Sequence, residues 1–205
     1  MNARHSLCGA GLLLTLVAIG CSKPIASSPA AKTLTLIAVD NSGSTDSMRK
    51  QLVSMAYDVA TDLNASTDEF KAYAFAGDIR EVTSEVPTDE DAFAATLSKA
   101  VMPTSKDHGT DYSKVLARLA DVSASNPAHA IRLFIAGDGL TDFESAEVNR
   151  RFEQAGKDLA ANPRITTILI YGAETGARER FERYLKGGSY QLHFVDLGQN
   201  LPPLP

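Results

Sequence analysis

The 205-residue chain has no tryptophan and only two cysteines, Cys8 and Cys21. Both fall within the first 21 residues, so the rest of the chain can hold no disulfide, no cysteine nucleophile and no thiolate metal site. Positive charge is scarce: 20 Lys and Arg stand against 25 Asp and Glu, a formal charge of -5. That leaves no general basic surface and argues against nonspecific nucleic-acid binding. The apolar run from Leu7 to Ile19 covers 13 residues. A membrane-spanning helix needs about 20. With 44% apolar residues, 14 Gly and 9 Pro, the remainder is an ordinary globular composition. Collagen-like, disulfide-scaffold and long disordered readings are excluded, and the length suits one domain with a full core.

The first 20 residues read as an export signal rather than as fold, with Arg4 ahead of the apolar run. The run closes on Ala18-Ile19-Gly20-Cys21, followed by Ser22-Lys23-Pro24. Small residues against a cysteine resemble the lipobox of bacterial lipoproteins, although Ala18 stands where that family usually has a large aliphatic. The resemblance implies cleavage before Cys21 and lipidation of Cys21, with Ser22 directing the chain to the outer membrane rather than the inner. The plainer alternative is a secretory signal with an incidental cysteine. Without Arg4 the exported chain carries 19 basic and 25 acidic residues, a formal charge of about -6. Residues 21–32 are rich in Ser, Ala and Pro and read as a tether. Residues 33–198 form the expected domain, and residues 199–205 a Pro-rich tail.

Within the domain, Thr33 to Val39 is an apolar, β-branched run ending in the turn-rich Asp40-Asn41-Ser42-Gly43-Ser44, which predicts a buried strand. Apolar residues at Met48, Leu52, Met55, Ala56, Val59 and Leu63 predict a helix over 45–63. Strands follow over 70–75 and 79–82. Helices are predicted over 88–100, opened by Thr88-x-x-Asp91, and over 112–122. The strand 131–136 precedes a helix ending near Ala161, opened by Thr141-x-x-Glu144. Then come a strand at 165–171, a helix at 178–185 and a strand at 191–195. The alternation predicts an α/β fold: a doubly wound, mainly parallel six-stranded sheet with helices on both faces and the 79–82 segment as a short antiparallel edge strand. Ligands in such sheets bind at the carboxyl ends of the strands, where the winding reverses.

Three loops that leave the carboxyl ends of apolar strands or open helices bear oxygen: Asp40-Asn41-Ser42-Gly43-Ser44, His108-Gly109-Thr110-Asp111 and Gly137-Asp138-Gly139. Asp40, Ser42, Ser44, Thr110 and Asp138 are all hard donors, suited to Mg²⁺ or Mn²⁺ rather than zinc. Two carboxylates balance a dication, and three hydroxyls add no charge. The ion therefore stays electrophilic toward one more anion, such as a carboxylate from another molecule. Without an ion the two aspartates repel, which should raise at least one pKa.

The order Asp-x-Ser-x-Ser, Thr, Asp resembles the von Willebrand factor A domain and its metal-ion-dependent adhesion site, over about Thr33 to Asp196. The resemblance implies that Ser42 and Ser44 bind the metal directly and that Asp40 acts mostly through water. It implies that Thr110 and Asp138 exchange between direct and water-mediated contact as affinity switches. Residues 109–116 and 168–172 resemble the family's loop-to-helix segment and fifth strand. Gly137, where many members carry threonine, is a departure that implies a looser loop. The function implied is a membrane-tethered, extracytoplasmic binding module, not an enzyme, which captures an acidic side chain of a protein partner.

Plainer roles compete at several positions. Asp46, Asp111 and Thr141 read as helix caps. Arg178, Arg180 and Arg183 read as a solvated helix face. An enzymatic alternative also exists. Asp40 and the segment Gly137-Asp138-Gly139-Leu140-Thr141-Asp142 look like motifs of haloacid-dehalogenase-type phosphotransferases. In that reading Asp40 is the phosphoryl acceptor and Asp138 and Asp142 hold Mg²⁺. Against it, Ser42 replaces the second acid those enzymes use.

Overall fold

β1 (Thr33–Asp40) shows why the strands bury completely. Leu34, Leu36 and Ala38 enter one hydrophobic cluster, while Ile37 and Val39 enter another on the opposite face. A strand turns successive side chains to opposite faces, so a continuous apolar run demands cover on both sides. Each fully buried leucine or isoleucine contributes about 1.5–3 kcal/mol relative to an exposed one. The computed structural model describes residues 32–63, 67–100, 109–142 and 144–203. The export signal, Cys21, the tether up to residue 31, His108 and the last two residues of the tail lie outside them.

The remaining elements are α1 (Arg49–Thr61), β2 (Asp68–Phe75), β3 (Ile79–Thr83), α2 (Glu90–Ala100), α3 (Tyr112–Ser125), β4 (Ala130–Ala136), α4 (Ala146–Ala161), β5 (Ile165–Tyr171), α5 (Thr175–Leu185) and β6 (Gln191–Val195). They form one six-stranded sheet in the order β3-β2-β1-β4-β5-β6. All pairings are parallel except β2 with β3, which is antiparallel at the edge. Helices α3, α4 and α5 cover one face, and α1 and α2 the other. The expected order of elements and the edge strand are both observed. No helix among the described residues is long and apolar enough to cross a membrane.

The winding reverses between β1 and β4. Val39 lies opposite Ala136 in the register, so the next residues, Asp40 and Gly137, leave the sheet side by side. This is the crevice where an open α/β sheet binds ligands.

Several helix starts differ from expectation. α1 opens at Arg49, because Gly43–Thr45 form a separate 3-10 turn. The buried Thr45 hydroxyl donates to the carbonyls of Asp40 (3.2 Å) and Ser42 (2.9 Å), which holds this turn against the strand end. Asp46 does not open α1: it closes the 3-10 turn, its N–H donating to Gly43 O, and its side chain pairs with Arg49. Asp89, not Thr88, accepts from the Ala92 N–H in the first turn of α2, at 2.6 Å. Ser145, not Thr141, caps α4 by accepting from Val148 N–H at 3.1 Å. Asp111 does cap α3, accepting from the Ser113 and Lys114 N–H groups. The arginines of α5 are not simply solvated: Arg178 pairs with Asp196, and Arg180 with Glu144.

Candidate metal centre

Asp40 ends β1 on the same side as Leu36 and Ala38, which turns it toward α3. It is fully buried. Its Oδ1 accepts the Ser42 N–H at 2.8 Å, and its Oδ2 accepts the Tyr112 hydroxyl at 2.7 Å. The first contact folds the loop back on itself and brings the Ser42 and Ser44 hydroxyls to 3.0 Å from each other. Arg49 donates to the Ser42 carbonyl at 3.1 Å and closes the loop from the helix side. Asn41 turns away from this cluster, donating its N–H to Phe75 O and its Nδ2 to Leu97 O.

The second loop delivers Thr110, which is 1% exposed. Its N–H donates to Asp142 Oδ2 at 2.6 Å, and its carbonyl accepts the Asp142 N–H at 3.0 Å. Its hydroxyl oxygen is buried and has no hydrogen-bond partner among the described residues. Next to it, the Asp111 carboxylate caps α3 and receives Arg151 of α4 at 2.8 Å. The start of α3 is thereby pinned to α4.

In the third loop Asp138 is 2% exposed, and its Oδ1 accepts the Leu140 N–H at 2.8 Å. The Asp138 carbonyl accepts from Glu174 N–H at 2.9 Å. Gly139 takes φ +77, a left-handed conformation natural to glycine, and a Cβ there would come within 2.6 Å of Ala177 Cβ.

Gly137 does not loosen the loop. A Cβ on it would lie 2.1 Å from the Tyr112 hydroxyl oxygen and 2.6 Å from Asp40 Cβ. The missing side chain makes room for Tyr112, which sequence reasoning placed only as the first residue of a helix. No motif marks it. Its one signal is a polar aromatic in the buried first turn of a helix that opens beside two aspartates.

Electrostatics follow from burial. The Asp40 pKa is pushed from 3.8 up to about 6, chiefly by burial, with hydrogen bonds from Ser42 and Tyr112 pulling it down and the Asp138 charge adding a smaller upward push. The expected rise is present, but desolvation rather than repulsion dominates it. The Tyr112 hydroxyl is held well above its usual range, by burial first and then by the charges of Asp40 and Asp138.

The structure brings the Asp40, Ser42, Thr110 and Asp138 loops to the one crevice, with Ser44 against Ser42. Among the described residues there is no group of three or more His, Cys, Asp or Glu able to hold a metal, so any ion must rely on hydroxyls as well as the two aspartates. The donor set fits a hard dication, since every group is oxygen and Thr110 carries a buried hydroxyl without a partner. Asp142, a metal ligand in the phosphotransferase alternative, spends an oxygen on the Thr110 N–H, and both oxygens of Asp40 accept hydrogen bonds.

No family model matches the chain, and no curated protein sequence matches it. Solved structures do. The minor pilin PilB of Streptococcus sanguinis is 12% identical, with a TM-score of 0.53 over 81% of this chain and 57% of that one. The ArnB paralog VWA2 of Sulfolobus acidocaldarius is 14% identical, with a TM-score of 0.55 over 80% of this chain and 41% of that one. BatB of Bacteroides thetaiotaomicron, described as a conserved hypothetical protein, is 15% identical, with a TM-score of 0.51 over 82% of this chain and 91% of that one. The chain thus spans about half the length of the pilin and archaeal proteins. The likeness establishes the fold, which is that of the von Willebrand factor A domain.

Proposed function

We propose that this chain is a metal-dependent protein-binding module tethered to a membrane of the bacterial cell envelope. Asp40, Ser42, Ser44, Thr110 and Asp138 hold Mg²⁺ or Mn²⁺. The bound cation supplies an electrophilic position for the carboxylate of an acidic side chain on a protein partner. The observation that carries the reading is the buried Thr110 hydroxyl, which has no hydrogen-bond partner among the described residues, on a loop tied through Asp142 and Tyr112 to those of the buried Asp138 and Asp40. Leaving such a group unsatisfied costs about 1–3 kcal/mol, and a cation removes that cost. A fold shared with a minor pilin is in keeping with an adhesion or complex-assembly role. The tether rests on Cys21 and the small residues before it. Two acyl chains anchor a protein stably where one does not.

The test is capture from a membrane extract by the immobilised exported chain. In Mg²⁺ it retains a protein that a chelator elutes and that Asp138→Ala fails to retain. Equal capture in chelator overturns the reading. Mg²⁺-dependent release of phosphate from an aryl phosphate, abolished in Asp40→Asn, puts the phosphotransferase alternative in its place. Metabolic labelling with a palmitate analogue, lost in Cys21→Ser, reports on the anchor.

A further inference from the structure

The three loops of the crevice are strapped to one another through Tyr112 and Asp142, two residues outside the proposed ligand set. The first and third meet at Tyr112. Its hydroxyl donates to Asp40 Oδ2 at 2.7 Å and accepts from the Gly139 N–H at 3.0 Å. The second and third meet at the reciprocal pair of Thr110 and Asp142. Tyr112 is fully buried and wedged edge-on between Phe75, with ring centroids 5.0 Å apart, and Phe181, at 5.6 Å. Its hydroxyl cannot swing away without displacing both rings, and the bare Cα of Gly137 is what lets it sit there.

We propose that Tyr112 is the positioning residue of the site. Its hydroxyl bridges Asp40 to the Gly139 amide and holds the first and third loops in the single arrangement that receives a divalent cation. This rests on the metal-binding reading above, and it specifies how the site is regulated. The loops are preset, so the cation binds without a loop rearrangement. Asp40 is oriented by Tyr112 as well as by its own loop, and the Asp138 turn is held through Gly139. Groups of this kind, one bond removed from a metal, typically control 10–100-fold in metal affinity.

The test uses Mn²⁺ alone, titrated calorimetrically into the exported chain, Tyr112→Phe and Phe181→Leu. Tyr112→Phe keeps the ring between Phe75 and Phe181 and removes only the hydroxyl. Phe181→Leu loosens the same packing and leaves the hydroxyl. Tyr112→Phe is expected to weaken Mn²⁺ by about 10–100-fold. Phe181→Leu is expected to lower Tm while changing the affinity by less than about threefold, since its hydrogen bonds remain. Hydrogen exchange in chelator supplies a readout independent of metal: the Gly139 and Ser42 amides lose protection in Tyr112→Phe and keep it in Phe181→Leu. Unchanged Mn²⁺ affinity in Tyr112→Phe, or an equal loss in both variants, overturns the proposal. Failure of the unsubstituted chain to bind Mn²⁺ overturns the metal-binding reading itself and the positioning role with it.

Discussion

Replacing Asp40 by asparagine is expected to stabilise the metal-free protein at neutral pH, although the residue is fully buried and doubly hydrogen-bonded. The reason is linkage. The Asp40 pKa stands at about 6 in the fold against an ordinary 3.8. The folded state therefore binds this proton more tightly than the unfolded state. Its contribution is fully present below pH ~4 and is lost as pH rises through ~6. Two pKa units amount to about 3 kcal/mol at pH 7.5. Asparagine carries no charge and escapes that cost. Its amide oxygen still receives the Ser42 N–H, but its NH₂ faces the Tyr112 hydroxyl, whose proton then loses its acceptor. One such bond is worth about 1 kcal/mol. The net gain is about 2 kcal/mol, or roughly 4–8 °C in Tm for a domain of this size. At pH 4 most of the gain vanishes and the variant is neutral or slightly destabilised. Thermal and urea melts of both proteins in chelator, at pH 4 and pH 7.5, give the comparison, and their difference isolates Asp40 from every other titrating group. In excess Mg²⁺ the order at pH 7.5 reverses, because only the unsubstituted chain gains binding energy on folding. An Asp40→Asn protein less stable than the unsubstituted chain at pH 7.5 in chelator would refute the reasoning.

Thr110→Val, which exchanges the orphaned hydroxyl for a methyl of the same shape, is expected to stabilise the metal-free protein by about 1 kcal/mol and to weaken Mn²⁺ binding, as read by urea melts and calorimetry. Gly137→Ala forces a Cβ against the Tyr112 hydroxyl at 2.1 Å and Asp40 Cβ at 2.6 Å, and should cost about 1–3 kcal/mol in the same melts. Asp111→Ala removes the α3 cap and leaves the partly buried Arg151 with Glu147 and the Ser113 hydroxyl, for a loss of about 2 kcal/mol. Asp111→Asn keeps the cap and should recover roughly half of that.

Most of the architecture was legible because it rests on periodicity. Apolar runs such as Leu34–Val39 and Ile165–Tyr171 bury on both faces, and only a parallel sheet between helices provides that. The antiparallel edge was legible from the short Gly77-Asp78 turn between β2 and β3. Helix starts were less legible, since several residues compete for each cap within one turn. Asp89 lies one residue beyond Thr88, and Ser145 lies at the very point where the backbone turns helical. A pattern that scores Thr-x-x-Glu cannot see which oxygen reaches the amide. The positions of Asp40 and Asp138 were legible from the strand ends they follow, and that of Thr110 from the start of the helix it precedes, whereas their joint role was read from the resemblance alone.

Tyr112 and Gly137 were illegible for a physical reason that bears on the site's chemistry. They are 25 positions apart in the sequence, and neither bears a donor that motif logic counts. Each makes sense only through the other. A side chain at position 137 would exclude the Tyr112 hydroxyl, and without that hydroxyl Asp40 Oδ2 would lose its 2.7 Å donor while remaining buried. The fold thus tolerates a carboxylate whose burial costs stability at neutral pH, and the Ser42 and Tyr112 donors offset part of that cost. On the metal-binding proposal, a cation beside Asp40 would relieve the remainder of that cost. On that proposal, the burial that raises the Asp40 pKa in the metal-free protein would also strengthen its attraction for a dication. Substitutions that ease one are expected to weaken the other, as the Asp40→Asn and Thr110→Val comparisons measure directly.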